Sequence, residues 1–412
     1  MDKLLDWWRR GLIAALSLSI VLLGVGRVEF VASGGSMSAW SVSRTTFFFW
    51  LLWKLLLLYH RGWAEFELNR LKLLAPLYLF FIAVTLSLLP DFHAAGDYRY
   101  FVFGCAHAVM LVDVFSSAPQ RRWLLLALGV PPLILVLRGL ANDPILLDIT
   151  QMMPPDATLP RRFGYPSDHP NIIGYLFSMT IPLSLAIAMG ETGKLRVLAL
   201  LSCFAQLVAL ALTYSRGSWL GWGAAMAFLV VTMKRRREVA VVLVATALIA
   251  TIVTPLRSRL SSLLSPRSDL SITDRMQVIE STLKLAWANP ILGVGYGRGR
   301  LREGLGESRL EMRRIAHTHN VYVELLATTG LLGLGAFLWL ICGAFYQALR
   351  HSINREAWNQ PAQLGIAAAW IAFAVTGLGD VPFYHHETRI FFFSLFALAR
   401  LYDSHGDRER CG

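Results

Sequence analysis

The chain is long, strongly apolar and basic: it has 412 residues, of which 55% are hydrophobic and only 16% charged, and its formal net charge is +12. No soluble globular domain needs that much apolar surface, so the composition excludes a soluble enzyme and predicts an all-α polytopic integral membrane protein. The four cysteines have no metal, redox or disulfide spacing. Because the basic residues flank apolar runs, lipid phosphates are expected partners and nucleic acid is not.

Hydropathy and run length predict about twelve transmembrane helices in a single domain, residues 1–412. The first apolar run is interpreted as a span behind Arg9 and Arg10, and a long connection, residues 255–318, separates spans nine and ten. The predicted spans lie near 11–31, 39–59, 71–90, 101–117, 122–141, 167–189, 196–213, 218–233, 239–254, 319–349, 361–378 and 390–402.

Lysine and arginine gather at the N-terminus, in every second connection and in the tail, which predicts that both termini are cytoplasmic. The opposite side is then periplasmic, and the unusual polar residues collect there. The basic positions are Lys3, Arg9, Arg10, Arg61 to Lys72, Arg121, Arg122, Lys194 to Arg196, Lys234 to Arg237, Arg350 to Arg355, Arg408 and Arg410.

The long periplasmic connection has an apolar stripe at helical spacing, which predicts an amphipathic helix on the membrane or across the top of the bundle. Asp274 precedes the stripe as a candidate cap, and Pro290 ends it. The stripe consists of Met276, Ile279, Leu283 and Trp287.

A glycine-rich run from Asn289 to Gly299 follows this helix. It does not join a strand to a helix in a βαβ unit, so it is not interpreted as a nucleotide site. Its backbone N–H groups could approach an anion, but a turn after the helix is the favoured interpretation.

Two histidines and an asparagine, in the order His317-Thr318-His319-Asn320, precede an apolar helix predicted from Val321 to Leu349. Glu324 lies one turn inside that helix on the face of Asn320, and a carboxylate inside a membrane helix indicates function. The alternative is a histidine pair that only hydrogen-bonds loop carbonyls, and the sequence position does not decide between them.

Metal catalysis is not expected from the histidines of this chain. His317 and His319 could share a metal ion only on extended backbone, and the adjacent His385 and His386 point apart on a helix or a strand.

Arg216 stands between two apolar spans with hardly any loop around it. A buried guanidinium needs a carboxylate, such as Glu324 or Asp380, or a phosphate, and a phosphate ligand is favoured. Arginines for a diphosphate beside a histidine that titrates near neutral pH suit transfer from a lipid diphosphate, without a metal or a nucleotide. By contrast, the adjacent pair Arg161-Arg162 is a weaker candidate, because such a pair in a loop is more often solvated than functional.

Four short motifs, in this order and on one predicted side, resemble those of the bacterial O-antigen ligase family. The wider group includes O-antigen polymerases and O-linked protein oligosaccharyltransferases. The motifs are Arg162 to Asn171, Ser215-Arg216-Gly217, Asn289-Pro290 with Gly293 and Gly295, and His317-x-His319-Asn320 followed by Gly330 and Gly333.

The resemblance implies a GT-C-like, metal-independent and inverting glycosyltransferase with its site at the periplasmic face of the bacterial inner membrane. The donor would be a glycan on undecaprenyl diphosphate and the acceptor a sugar hydroxyl of lipid A–core, with no cofactor, metal or nucleotide. His319, or as second choice His317, would be the catalytic base. The diphosphate would be held by Arg216 and Arg162 with help from Arg161, Arg275 and Arg298, while Asn320 and Glu324 would orient the histidine.

Two other functions remain open at this level. A polymerase of the same group would lengthen the glycan on its lipid carrier. A lipid-linked sugar transporter or flippase should instead show repeat symmetry and charges at the membrane midplane. The short outer turn, residues 379–389, argues against the oligosaccharyltransferase branch.

Overall fold

The structure is a computed structural model, and it describes residues 1–25, 28–30, 35–62, 73–89, 96–142, 162–163, 170–234, 237, 239–244, 246, 270–305, 317–352 and 359–403. Helices dominate these residues, and the only sheet among them is an antiparallel hairpin, β1 (Val28–Phe30) with β2 (Gly35–Met37). The helices are α1 (Asp2–Val25), α2 (Ala39–Arg61), α3 (Ala75–Ser87), α4 (Gly96–Val114), α5 (Ala118–Asn142), α6 (Pro170–Gly190), α7 (Gly193–Leu212), α8 (Arg216–Thr232), α9 (Leu270–Ala288), α10 (Arg298–Leu305), α11 (Val321–Ser352), α12 (Asn359–Thr376) and α13 (His386–Asp403).

Eleven of the twelve predicted spans overlap a helix of the structure. Six of these helices, α1, α2, α5, α6, α7 and α11, are long and apolar enough to cross a membrane, and α3 and most of α12 are shorter apolar helices. The predicted span near 239–254 falls largely outside the described residues. The protein is therefore an all-α polytopic membrane protein, as the composition predicts.

The start of the chain differs from its prediction. Helix α1 begins at Asp2 rather than near residue 11, so Arg9 and Arg10 lie inside it. The Arg9 guanidinium donates to the carbonyl oxygen of Val114 at 2.8 Å, and Arg10 pairs with Asp6 at 2.9 Å. The hydropathy window excluded these residues because of their charge, whereas their partners allow the helix to continue.

Helix α6 is the centre of the bundle, because nearly all of its apolar stretch is buried inside the protein. It packs against α7, α8 and α12. Small residues allow the close approach: a Cβ atom at Gly221 of α8 would lie 2.7 Å from the carbonyl oxygen of Ala372 in α12. Without water to drive association, such tight packing stabilises helix pairs in a membrane.

A buried histidine links three helices within the bundle. His107 of α4 places Nδ1 2.9 Å from the Ser43 hydroxyl of α2 and Nε2 3.0 Å from the Ser394 hydroxyl of α13. All three side chains are buried, so each hydrogen bond satisfies a polar atom that has no access to solvent.

The predicted continuous helix from Val321 is broken at Gly330, which has φ 65° and ψ −168°. In a straight helix the 15 residues between Tyr322 and Phe337 would rise about 22 Å. The two rings are instead 6.3 Å apart between centroids. The chain therefore bends sharply at Gly330, and Glu324 belongs to the short segment 321–329 before the bend.

The loop after α9 replaces the backbone hydrogen bonds that this break removes. In an unbroken helix, the N–H groups of Leu331 and Leu332 would donate to the carbonyl oxygens of Ala327 and Thr328. The two N–H groups donate instead to Pro290 at 2.8 Å and Ile291 at 3.4 Å, and the two carbonyls accept from Val294 at 2.9 Å and Gly295 at 3.0 Å. The loop and α11 therefore form one interlocked unit, which satisfies backbone groups that a membrane protein cannot leave open.

The predicted helix in the long connection exists as α9, but its start and its buried face differ from the prediction. It begins at Leu270, so Asp274 lies inside it rather than at its cap. Val278, Thr282 and Ala286 are the buried stripe. Of the predicted apolar stripe, Ile279 and Leu283 are half-buried, whereas Met276 is 60% and Trp287 80% exposed. The helix packs on α11, which agrees with a position across one end of the bundle.

Candidate functional site

Four connections meet at one end of the bundle. Arg162 bonds to the end of α7 at Thr213, the start of α6 bonds to the turn after α12 through Asn171 and Asp380, and Arg275 of α9 bonds to Gly379 in the same turn. The N–H of Val321, at the start of α11, donates to the carbonyl oxygen of Gly377 at 2.9 Å. The predicted periplasmic residues therefore share one end of the molecule.

Two histidines and an aspartate converge at the centre of this end. The Nδ1 atoms of His317 and His319 lie 3.6 Å and 3.5 Å from the same oxygen, Oδ1 of Asp380. The two imidazoles contact each other edge to face, with centroids 4.3 Å apart. Asp380 is 5% exposed, whereas both histidines keep partial access to solvent.

The backbone around the histidines explains why their rings converge. His319 has φ 56°, in the left-handed region that a residue with a Cβ atom seldom occupies. This turn lets the N–H of His319 donate to Nδ1 of His317 at 3.3 Å. Strain of this kind, about 1–3 kcal/mol, is retained where the surroundings fix it, and such residues cluster at functional sites.

Thr318 and Glu324 stabilise the histidine turn, residues 317–320, from its buried side. The Glu324 carboxylate accepts from the backbone N–H of Thr318 at 2.8 Å and lies 2.9 Å from the Thr318 hydroxyl, and both residues are fully buried. Glu324 therefore acts on the histidines through the residue between them and bonds to neither ring. This is a more indirect route than the sequence-based prediction that Glu324 orients the histidine.

Asn320 caps helix α11. Its side-chain oxygen accepts from the N–H groups of Tyr322 at 3.0 Å and Val323 at 3.1 Å, and its amide nitrogen donates to Leu378 at 3.2 Å. This is the usual N-cap arrangement, and it also ties the helix start to the turn that carries Asp380. Asn320 positions the backbone of the histidine turn and does not bond to an imidazole.

Asp380 remains ionised despite its burial. Burial opposes the charged form, but the two imidazoles and the nearby Tyr175 hydroxyl outweigh it and hold the pKa of Asp380 well below its usual value. Its oxygens also accept from the N–H of Val381 at 2.8 Å and from the amide of Asn171 at 3.0 Å. A fixed carboxylate beside an imidazole can select the tautomer and stabilise the protonated ring.

The pKa of His317 falls to about 4, because burial disfavours the charged ring more than Asp380 favours it. At neutral pH this imidazole is uncharged, and its Nδ1 already accepts a hydrogen bond from His319. A group with so low a pKa is a weak proton acceptor near neutral pH.

Arg162 is engaged at two of its nitrogens. Nε donates to the Thr213 carbonyl at 2.7 Å and one terminal nitrogen donates to the Asn171 side-chain oxygen at 2.7 Å. Since Asn171 in turn donates to Asp380, a chain of hydrogen bonds connects this arginine to the carboxylate beside the histidines.

The remaining predicted arginines are placed differently. Arg275 donates to the Gly379 carbonyl at 3.1 Å, next to Asp380, whereas Arg298 is paired with Asp97 at 3.3 Å. Arg216 is the first residue of α8, and the neighbouring Gly217 lies close to Gly379. Arg161 lies outside the described residues.

The glycine-rich run after α9 is a turn and not an anion cradle. Consecutive N–H groups from Gly293 to Tyr296 all donate within the protein, to Asn289, Ala327, Thr328 and the Ser87 hydroxyl. Gly293, Gly295 and Gly297 have positive φ values, which explains the glycines without a ligand.

Sequence reasoning missed two residues of the site, Asp380 and Asn171. Asp380 lies in the turn 379–389, where the sequence pattern indicates it only as a possible ion-pair partner of Arg216. Asn171 belongs to the first family-like motif. The Pro-Asn pair that begins a predicted span there is the sequence feature that could have indicated it as a site residue.

The membrane bundle defines a polytopic integral membrane protein. Its candidate site is the polar cluster in the turns at one end of the bundle. A protein-family profile described as O-antigen ligase matches residues 201–338, which include Arg216, Arg275, Arg298, both histidines and Glu324. The matched segment, 138 of the 412 residues, is similar to the O-antigen ligase family. Arg162, Asn171 and Asp380 lie outside the matched segment. No curated protein matches the chain.

Proposed function

We propose that this protein is an O-antigen ligase. It transfers a glycan from undecaprenyl diphosphate to a sugar hydroxyl of lipid A–core, at the periplasmic face of the bacterial inner membrane. The family match supports the O-antigen pathway, and the histidine–aspartate cluster supports group transfer with proton removal.

In the reaction, the acceptor oxygen attacks the anomeric carbon of the donor glycan from the face opposite the leaving group. A new carbon–oxygen bond forms, the bond from the anomeric carbon to the diphosphate oxygen breaks, and the configuration inverts. The hydroxyl proton passes to the base, and the diphosphate leaves on its lipid. No metal, cofactor or nucleotide enters these steps.

His319 is the proposed base. Its Nδ1 faces Asp380 at 3.5 Å, so a proton on Nδ1 leaves Nε2 as the acceptor. His317 is second choice because its pKa of about 4 makes it a weak base at neutral pH. Asp380 positions the ring and stabilises the imidazolium, as a carboxylate does for a catalytic histidine in other enzymes.

The proposed diphosphate ligands are arginines at the same end of the bundle. Arg216 and Arg162 are the principal candidates, Arg161 assists, and Arg275 lies beside the Asp380 turn. Guanidinium groups can stabilise the charge that grows on the diphosphate as the bond breaks. Arg298 is the weakest candidate, because Asp97 already takes up much of its hydrogen-bonding capacity.

The single observation that carries the proposal is the fixed Asp380–His319 pair at the end of the bundle where Arg162 and Arg275 also converge. A transporter makes no bond, so it should tolerate His319→Ala better than an enzyme that uses this histidine as its base. A polymerase could use the same chemistry, so the acceptor distinguishes the two enzymes.

The test is a lipopolysaccharide gel of cells that lack the protein, complemented with the wild type, His319→Ala or the outer-turn control His385→Ala. A ligase predicts bare core in the deletion strain, with long glycan accumulated on the lipid carrier. Wild type and His385→Ala should restore the ladder, and His319→Ala should not.

Each of the other outcomes points to a different protein. A core that carries a single repeat unit would indicate a polymerase. Loss of all outer-face lipid-linked glycan would indicate a transporter. A full ladder with His319→Ala would show that His319 is not the base, whichever function holds.

A further inference from the structure

Three side chains at the outer end have the separations of a transition-metal site. One ligating atom each from His317, His319 and Asp380 lies within 4.8 Å of the other two. The two imidazole Nδ1 atoms are 3.6 Å and 3.5 Å from Asp380 Oδ1. To bind an ion, Nδ1 of His317 would give up the hydrogen bond that it accepts from the His319 N–H at 3.3 Å. Ligands bound at about 2.0–2.2 Å in a tetrahedral site are separated by roughly 3.3–3.5 Å, so small rotations would complete such a set.

The surroundings of these atoms are already organised. Asp380 is 5% exposed and is held by the Asn171 amide at 3.0 Å, the kind of support that outer partners give to a metal-binding carboxylate. His319 Nδ1 is shielded from solvent, and it faces Asp380 Oδ1 at 3.5 Å, a distance longer than an ordinary hydrogen bond. The left-handed conformation at His319 brings the rings together, which removes the sequence-based objection that the two histidines could share an ion only on extended backbone.

We propose that His317, His319 and Asp380 bind one divalent transition-metal ion of the Zn²⁺ class, and that this ion is a reversible inhibitor and not a cofactor. Two imidazoles and one carboxylate suit Zn²⁺, Co²⁺ or Cu²⁺ and do not suit Mg²⁺ or Ca²⁺, which prefer oxygen ligands. With three protein ligands, the fourth position is left for water.

The inhibition follows from where the ring proton of His319 lies. It rests on the proposed function, in which His319 is the base. A metal ion on Nδ1 of His319 needs the lone pair of that nitrogen. The proton that Nδ1 carries in the neutral ring moves to Nε2, so the ring stays neutral and no proton is released overall. Nε2 then has no lone pair for the acceptor hydroxyl, and the metal also occupies the carboxylate that would stabilise the imidazolium.

The binding test uses the full-length protein in detergent, titrated with Co²⁺ and followed by its visible absorption, with Zn²⁺ as competitor. Wild type and the control His385→Gln are expected to give the same nitrogen- and oxygen-ligand spectrum. His317→Gln, His319→Gln and Asp380→Asn should each weaken Co²⁺ binding at least tenfold, and Asn171→Ala about 10–100-fold as an outer partner.

A measurement on the wild type alone guards against misfolded variants. X-ray absorption of the Zn²⁺-loaded protein should show an imidazole shell and no sulfur. Absence of Co²⁺ binding, a sulfur shell, or unchanged binding in all three ligand variants would overturn the proposal and leave adventitious metal binding only.

The inhibition is tested by glycan transfer to lipid A–core in membranes, with Zn²⁺ and then with a chelator. The expected result is loss of transfer that the chelator restores. Transfer that continues at a Zn²⁺ concentration which saturates the site would overturn the inhibitory role. If no glycan transfer occurs under any condition while Co²⁺ binding depends on the three ligands, the proposed function fails and the metal site stands.

Discussion

Two histidine environments in this protein differ in how the ring nitrogens are used. His107 lies inside the bundle with both nitrogens hydrogen-bonded, to Ser43 and Ser394. His319 lies at one end of the bundle, with Nδ1 3.5 Å from Asp380 and its side chain 24% exposed. His107 therefore has no ring nitrogen left for a substrate, whereas His319 keeps Nε2 to accept a proton.

We interpret the contrast as the difference between a histidine that holds helices together and the proposed catalytic base. A polar side chain in a membrane bundle stabilises helix association when all its hydrogen bonds are made inside the protein. A strained backbone, an ionised buried carboxylate and a free ring nitrogen would be costly features without a function. The following changes test whether the two histidines differ in this way.

The largest expected effect is that of His319→Ala on glycan transfer. Removal of the base should lower the transfer rate by about 10³–10⁴-fold, near the upper limit for general base catalysis. The measurement is transfer to lipid A–core in membranes that contain equal amounts of folded protein. A loss of less than tenfold would contradict the assignment of the base, and His385→Ala supplies the control from the same end of the molecule.

Asp380→Asn should reduce transfer by about 10²–10³-fold, because the amide neither selects the tautomer of His319 nor stabilises its imidazolium. Asn171→Ala provides a graded comparison, since it leaves the carboxylate but removes one hydrogen bond to it. If Asp380→Asn transferred glycan as fast as the wild type, His319 would act without the carboxylate. The distinction from His107 would then rest on exposure alone.

Gly330→Ala should destabilise the protein by about 2–4 kcal/mol, because a Cβ atom would overlap the backbone of Ile291 and φ 65° is strained for alanine. Thermal unfolding in detergent measures the change. Gly335→Ala is the matched control on the same helix: its Cβ atom would meet nothing, so stability should stay equal or rise slightly. Equal effects of the two substitutions would contradict the interlocked arrangement around Gly330.

The smallest effect on activity is expected from His107→Ala. Loss of its two hydrogen bonds inside the bundle should cost roughly 1–3 kcal/mol of stability. Transfer per folded molecule should remain that of the wild type. A variant that folds normally but loses activity would show that His107 takes part in the reaction, and the comparison between the two histidines would fail.

The sequence predicted most of the membrane bundle because apolar runs of spanning length are a strong signal. It also indicated the histidine turn and the arginines at one end. It did not select Asp380 from the other outer polar residues, since the contact with His319 joins positions about 60 residues apart in the chain. Hydropathy carries no information on which outer turn faces which.

The sequence pattern does not predict the break at Gly330, for a related reason. The segment from Val321 onward is apolar and helical on both sides of the glycine, so its pattern predicts one helix. The partners that make the break acceptable come from residues 290–295, which the sequence pattern indicates only as a turn. Similarly, the buried face of α9 could not be predicted, because its exposed Met276 and Trp287 are as apolar as its buried residues.

The exchange of backbone hydrogen bonds between 290–295 and 327–332 also constrains how this protein can be recombined with its relatives. A chimera that takes one of these segments from one parent and the second from another must reproduce the same register, or it leaves two amides and two carbonyls without partners. Breakpoints should therefore keep residues 289–332 together as one inherited block. The histidine turn, residues 317–320, lies within this block and would be inherited with it.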